Sequence, residues 1–118
     1  MTNIQVVENT ISAQELKELA KQRFGDMVKA VVDVRRGVMV VGAELHADEE
    51  ALLLNKGSNQ ENLWGINIYL DSKDGQPYWV EFDSMINIRP SQNNPSRDVE
   101  NLEVRKTITD LVSKLVSS

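Results

Sequence analysis

Two runs rich in β-branched residues, Met27-Val-Lys-Ala-Val-Val-Asp-Val34 and Val38-Met-Val-Val41, are separated only by Arg35-Arg-Gly37. Branching at Cβ stiffens χ1 and suits a pleated surface, and so short a link with a turn glycine cannot carry a crossover between parallel strands. The two runs therefore form an antiparallel hairpin, and any fold open to this chain is built around it.

Similar patterning places a second hairpin. Leu63-Trp-Gly-Ile-Asn-Ile-Tyr-Leu70 and Tyr78-Trp-Val-Glu-Phe-Asp83 flank Asp71-Ser-Lys-Asp-Gly-Gln-Pro77, a loop built around Asp74-Gly75. The alternation that starts at Tyr78 runs on to Arg89, where Pro90 stops it. Tyr78, Val80, Phe82, Ser84, Ile86 and Ile88 then share one face, while Trp79, Glu81, Asp83, Met85, Asn87 and Arg89 share the other. An Ile-Asn-Ile core recurs in Gly65–Tyr69 and Met85–Arg89, which predicts that Asn67 and Asn87 face away from the isoleucines.

Three helices complete the chain. Ser12-Ala-Gln-Glu15 reads as a capping box ahead of the apolar stripe Leu16, Leu19, Ala20 and Phe24, so the first helix spans about 12 to 24. Asp48-Glu-Glu-Ala-Leu-Leu-Leu-Asn-Lys-Gly57 has acids in its first turn, a lysine in its last and a glycine just beyond, the order that a helix dipole favours. Val104, Ile108, Leu111, Val112 and Leu115 share one helical face behind Asn101, a favoured cap residue, giving a helix over about 101 to 116. The expected fold is α+β, in the order α-β-β-α-β-β-α. It has an antiparallel sheet of four to five strands with three helices, packed mainly on one face.

The 118 residues fit a single domain, 1–118, with 1–10 read as an N-terminal segment free to flex. A domain of this size buries roughly two thirds of the surface its unfolded chain exposes, enough for one ordinary core. No apolar run approaches the ~20 residues that cross a bilayer. The start lacks the basic and apolar regions of a secretory signal, so the expected location is cytoplasmic, away from membranes. With no cysteine, a metal would have to be held by histidine, carboxylates and carbonyls.

A net charge of −5 disfavours nucleic acid as a partner. The charge is also concentrated. Glu44, Asp48, Glu49 and Glu50 lie in one stretch without a basic residue, and Asp74, Glu81 and Asp83 in another; these carry −4 and −3, leaving +2 for the rest of the chain. Such clustering suits a divalent cation or a basic partner, and equally the acids that helix starts attract.

The only histidine, His46, sits in the first of these stretches, where the second strand, continued through Glu44, gives way to a helix. Three readings stay open. His46 with Glu44 and Asp48, joined by Glu81 or Asp83, offers one nitrogen and several oxygens to a divalent metal ion such as Zn²⁺, Mn²⁺ or Mg²⁺. Alternatively Glu44 orients His46 for proton transfer, with Glu44, His46 and Arg89 as the catalytic candidates. In the third reading His46 is structural, beside an Asp48 that caps the helix. Arg89 and Arg97 bracket the loop Pro90-Ser-Gln-Asn-Asn-Pro-Ser96, which offers donors to an anion but lacks a glycine-rich phosphate cradle. There is no Gly-x-Ser-x-Gly element of a serine hydrolase.

Four phrases carry a resemblance: Phe24-Gly-Asp-Met-Val-Lys-Ala-Val-Val-Asp33, Glu44-Leu-His-Ala-Asp48, Asn62-Leu-Trp-Gly-Ile-Asn67 and Glu81-Phe-Asp-Ser-Met-Ile-Asn-Ile-Arg-Pro90. From about Leu16 to the last helix the chain resembles a family of small prokaryotic proteins, domain-of-unknown-function family 5674. The resemblance implies no activity, cofactor or catalytic residue. The residues themselves favour a module that binds a protein or small-molecule ligand, because one histidine without cysteine completes no catalytic constellation. The alternative is a hydrolase-like, divalent-metal-dependent enzyme using Glu44, His46 and Asp48. Exposed sheet edges would also allow a homodimer.

Overall fold

The valine-rich hairpin forms the centre of the sheet. In the computed structural model, which describes residues 4–71 and 75–117, strand β3 (Met27–Asp33) pairs antiparallel with β4 (Val38–Val41), with Val31 opposite Val40. Strand β5 (Leu63–Tyr69) lies on the other side of β3, matched from Met27 opposite Tyr69 to Asp33 opposite Leu63. Strand β6 (Trp79–Glu81) pairs with β5, and β1 (Gln5–Val7) pairs with β4 at the far edge. The result is one five-stranded antiparallel sheet in the order β1-β4-β3-β5-β6. Short β2 (Ile11–Ser12) and β7 (Val116–Ser117) pair in parallel apart from it. Gln5–Val7, which the sequence reading left outside the regular elements, thus supplies an edge strand. The expected turn centre Asp74 lies outside the described residues.

Period-two alternation sends each strand's apolar residues to two destinations. Val28, Ala30 and Val32 of β3, Met39 and Val41 of β4, and Trp64, Ile66 and Ile68 of β5 join the main core. Helix α1 (Ala13–Arg23) contributes Leu16, Leu19 and Ala20 to it, and helix α3 (Leu102–Leu115) contributes Ile108, Val112 and Leu115. On the opposite face helix α2 (His46–Asn55) sets Leu53 against Val31, Val40 and Leu63. Two helices therefore cover one face and one covers part of the other.

The helix ends follow local chemistry. Ser12 Oγ accepts from the Glu15 N–H at 3.0 Å, while the Glu15 carboxylate meets the Ser12 hydroxyl at 3.3 Å, a variant of the expected capping box. Asn101 Oδ1 accepts from the N–H groups of Glu103 and Val104, capping α3. Helix α2 closes in a Schellman arrangement, the Ser58 N–H donating to the Leu53 carbonyl and the Gly57 N–H to that of Leu54. Asp33, fully buried, ties the hairpin turn to this helix end: it accepts from the Arg35 and Arg36 N–H groups and from the Ser58 hydroxyl at 2.6 Å.

Two expected extensions fail. Strand β4 stops at Val41 instead of reaching Glu44, because Gly42 turns the backbone to φ +99°, a conformation that breaks the pleat. Likewise β6 ends at Glu81; Met85–Asn87 form a 3₁₀ turn with the Ser84 hydroxyl accepting from the Ile86 N–H, and Pro90–Gln92 form another. The alternation from 78 to 89 therefore does not mark one extended strand. Asn67 does face away from Ile66 and Ile68, whereas Asn87 is buried in the 3₁₀ turn.

Where β6 ends, the Asn87 amide takes over its role. Asn87 Oδ1 accepts from the Gly65 N–H at 2.8 Å, and Nδ2 donates to the Gly65 carbonyl at 3.0 Å and to the Arg97 carbonyl at 3.0 Å. The approach needs a glycine, since a Cβ on residue 65 would lie 2.5 Å from the Ser84 side chain. Asn87→Ala would orphan both buried Gly65 backbone groups and lower the unfolding free energy by about 3 kcal/mol in urea titrations. A loss within about 0.5 kcal/mol, the ordinary range for an inconsequential surface change, would refute this role.

Candidate functional site

Helix α2 starts at the border of the covered half of its sheet face, and His46 is its first residue. The side chain is buried, and its Nε2 lies 2.8 Å from the Ile66 carbonyl oxygen. A carbonyl only accepts, so Nε2 carries the proton and Nδ1 is left with the ring's lone pair. Burial holds the imidazole below its ordinary value; the Ile66 carbonyl opposes that shift and Lys29 reinforces it. His46 is therefore neutral at pH 7.

His46 lines a cavity of about 200 Å³ together with Lys29, Leu45, Ala47, Asn67, Asp83, Ser84, Met85, Ile86 and Arg97. Strands β3 and β5 provide its floor through Lys29 and Asn67, which stand opposite each other in register. The start of α2 forms one wall, and the segment pinned by Asn87 forms the other. Asn67 is only 6% exposed, and its Nδ2 donates to Glu81 Oε1 at 2.8 Å and to the Asp83 carbonyl at 3.3 Å. With both bonds made to acceptors the amide cannot flip, and its buried Oδ1 has no hydrogen-bond partner among the described residues. Arg97 Nε donates to Asp83 Oδ1 at 2.7 Å across the cavity rim.

The residues singled out from the sequence divide accordingly. His46 and Asp83 meet in the cavity wall. Glu81 stands just behind it, accepting from Asn67 and from the Tyr69 hydroxyl at 3.3 Å. Glu44 and Asp48 are exposed, on the bend after β4 and in the first turn of α2; Asp48 is not the cap, because the helix begins two residues earlier with Leu45 in that position. Arg89 lies elsewhere: its guanidinium donates to the carbonyls of Gln60 and Leu63 and stacks 4.2 Å from the Trp64 ring centroid. Among the described residues no three histidine or carboxylate side chains are grouped to hold a metal ion.

Lys29, Asn67 and Ser84 escaped the sequence reading as site residues, as did Glu49. Lys29 and Asn67 had a usable signal, a polar residue at an inward-alternating position of an otherwise apolar strand. Glu49 is fully buried, with Oε2 accepting from the Ala43 N–H at 3.1 Å and Oε1 without a partner among the described residues. Burial raises its carboxyl well above the ordinary range, opposed by the Ala43 N–H and Lys29. The folded state thus holds this proton more tightly than the unfolded chain does. Its stabilising contribution is full below the ordinary carboxylate value and falls as pH rises toward the folded value. His46 has the opposite sign, its contribution being full above about 6.5 and lost on acidification. Glu49→Gln is expected to remove the component that falls with pH, so that its stability relative to the wild type rises between pH 5 and 7 in denaturant titrations; a difference that does not change with pH would contradict a protonated Glu49.

No helix among the described residues is long and apolar enough to cross a membrane. A family model described as protein of unknown function (DUF5674) matches residues 5–115. No curated protein and no solved structure matches the chain.

Proposed function

We propose that this chain, which belongs to the DUF5674 family of proteins of unknown function, is a binding module for a small polar molecule held in the His46 cavity. The observation that carries this reading is His46, buried in the wall of the cavity with Nε2 bound to the Ile66 carbonyl and Nδ1 left as an acceptor beside the locked Asn67 amide. These groups suit recognition: the amide is locked by Glu81 and Asp83, His46 is held in one tautomer by Ile66, and both lie on regular elements. At about 200 Å³ the space is below the ~300 Å³ lower bound of drug-sized pockets and suits a molecule of a few carbons.

Binding without turnover fits the set of groups better than catalysis does. His46 has a lone pair, but the fixed carboxylates nearby are engaged with Asn67 and Arg97. The test is a screen of small polar metabolites against ¹⁵N-labelled protein. Binders are expected to shift the amide resonances of Ala47, Asn67, Ser84 and Met85, and at a hundredfold excess over Kd to stabilise the fold by about 2.7 kcal/mol. A screen in which every hit maps away from these four residues, or in which nothing binds, would overturn the proposal.

A further inference from the structure

We infer that the ligand of this cavity is a small monocarboxylate carrying a hydroxyl group next to its carboxylate, an inference that rests on the binding reading above. Donors and acceptors in the wall are segregated. On the donor side stand the Lys29 ammonium, the Arg97 guanidinium and the first turn of α2, where His46 and Ala47 line the cavity. The residue in the cap position, Leu45, has no side-chain acceptor, so the leading N–H groups of this ten-residue helix are not capped by it. A helix start with open N–H groups favours an anion. Lys29 forms no ion pair among the described residues; its ammonium lies 5.3 Å from the Phe24 ring centroid. Arg97 engages Asp83 through Nε, which leaves its terminal amino groups to donate.

On the acceptor side stands His46 Nδ1, which cannot become a donor while Nε2–H is held by the Ile66 carbonyl. An anion alone leaves His46 Nδ1 without a donor, and a neutral hydroxyl compound leaves the cations uncompensated. The charges select further. Lys29 and Arg97 against Asp83 leave one net positive charge in the lining, which a carboxylate balances, whereas a phosphate monoester would bring between one and two negative charges.

Four matched probe types separate these requirements: hydroxycarboxylates of up to six carbons, the same carboxylates without the hydroxyl group, the neutral amides of the hydroxycarboxylates, and inorganic phosphate. Each is titrated into labelled protein and followed at Ala47 and Asn67. The first type is expected to bind at least about tenfold tighter than the other three, and Lys29→Met to remove about tenfold of that affinity. Lys29→Gln serves as a second variant should the methionine disturb folding, as judged from the amide spectrum away from the cavity. If the neutral amides or phosphate bind at these residues as well as the hydroxycarboxylates, the ligand class is wrong while the binding module stands. If none of the probes and no compound of the wider screen shifts these residues, both readings fail.

Discussion

The side-chain amide of Asn87 stands in for a strand. β5 runs from Leu63 to Tyr69, but its neighbour β6 covers it only from Asn67 to Tyr69, leaving the Gly65 peptide without a strand partner on that side. An amide carries the same donor and acceptor as a peptide group, and Asn87 turns both toward Gly65. Its Nδ2 also reaches the Arg97 carbonyl, so both ends of the segment from Ser84 to Arg97 are tied to the sheet at one point. Asn94 repeats the device inside the segment, donating to the carbonyls of Asn87 and Asp98 at 2.7 Å each and accepting from the Glu100 N–H. The wall that holds Asp83, Ser84, Met85, Ile86 and Arg97 around the cavity thus depends on a satisfied network in a segment with little regular structure.

The cavity lies where apolar cover gives out. Helix α2 shields Val31, Val40 and Leu63, on β3, β4 and the start of β5. Beyond it the same face carries a polar row in strand register, Lys29 opposite Asn67 and Asn67 opposite Glu81, followed by Tyr69 and Trp79 stacked at 4.3 Å with their rings 8° apart. On the opposite face α1 and α3 cover β3, β4 and β5 with aliphatic side chains, and a cavity of about 500 Å³ opens where Tyr78, Val80 and Phe82 meet Thr109 and Ser113 of α3.

Most of the fold was legible because its signals are local. The strand pair from Met27 to Val41 follows from valine content and a three-residue link, and α3 from its apolar spacing and Asn101. The site was legible only in part. His46 and Asp83 were both singled out and do meet, although the geometry that suggested it was wrong: β4 does not extend to His46, and β6 does not extend to Arg89. A period of two in side-chain polarity does not require an extended backbone. Ser84 and Ile86 still face inward, but from a cap and a 3₁₀ turn, while Asn87 and Arg89 of the alternate set are buried as well.

By itself the sequence determined the order of elements, the central hairpin, the capped starts of α1 and α3 and the acidic, cysteine-free set of groups available for chemistry, since each depends on a few neighbouring residues and their conformational preferences. Only the tertiary structure decided that Glu49 is buried, that Arg89 is spent on the carbonyls of Gln60 and Leu63, and that Lys29, Asn67, His46 and Arg97 share one cavity. Those outcomes depend on which partner a polar group finds in the folded chain, from Ala43 six residues before Glu49 to Gln60 29 residues before Arg89. Hydrogen-bond capacity is written in a residue's identity, but whether that capacity is spent on the protein or left for a ligand is settled by packing.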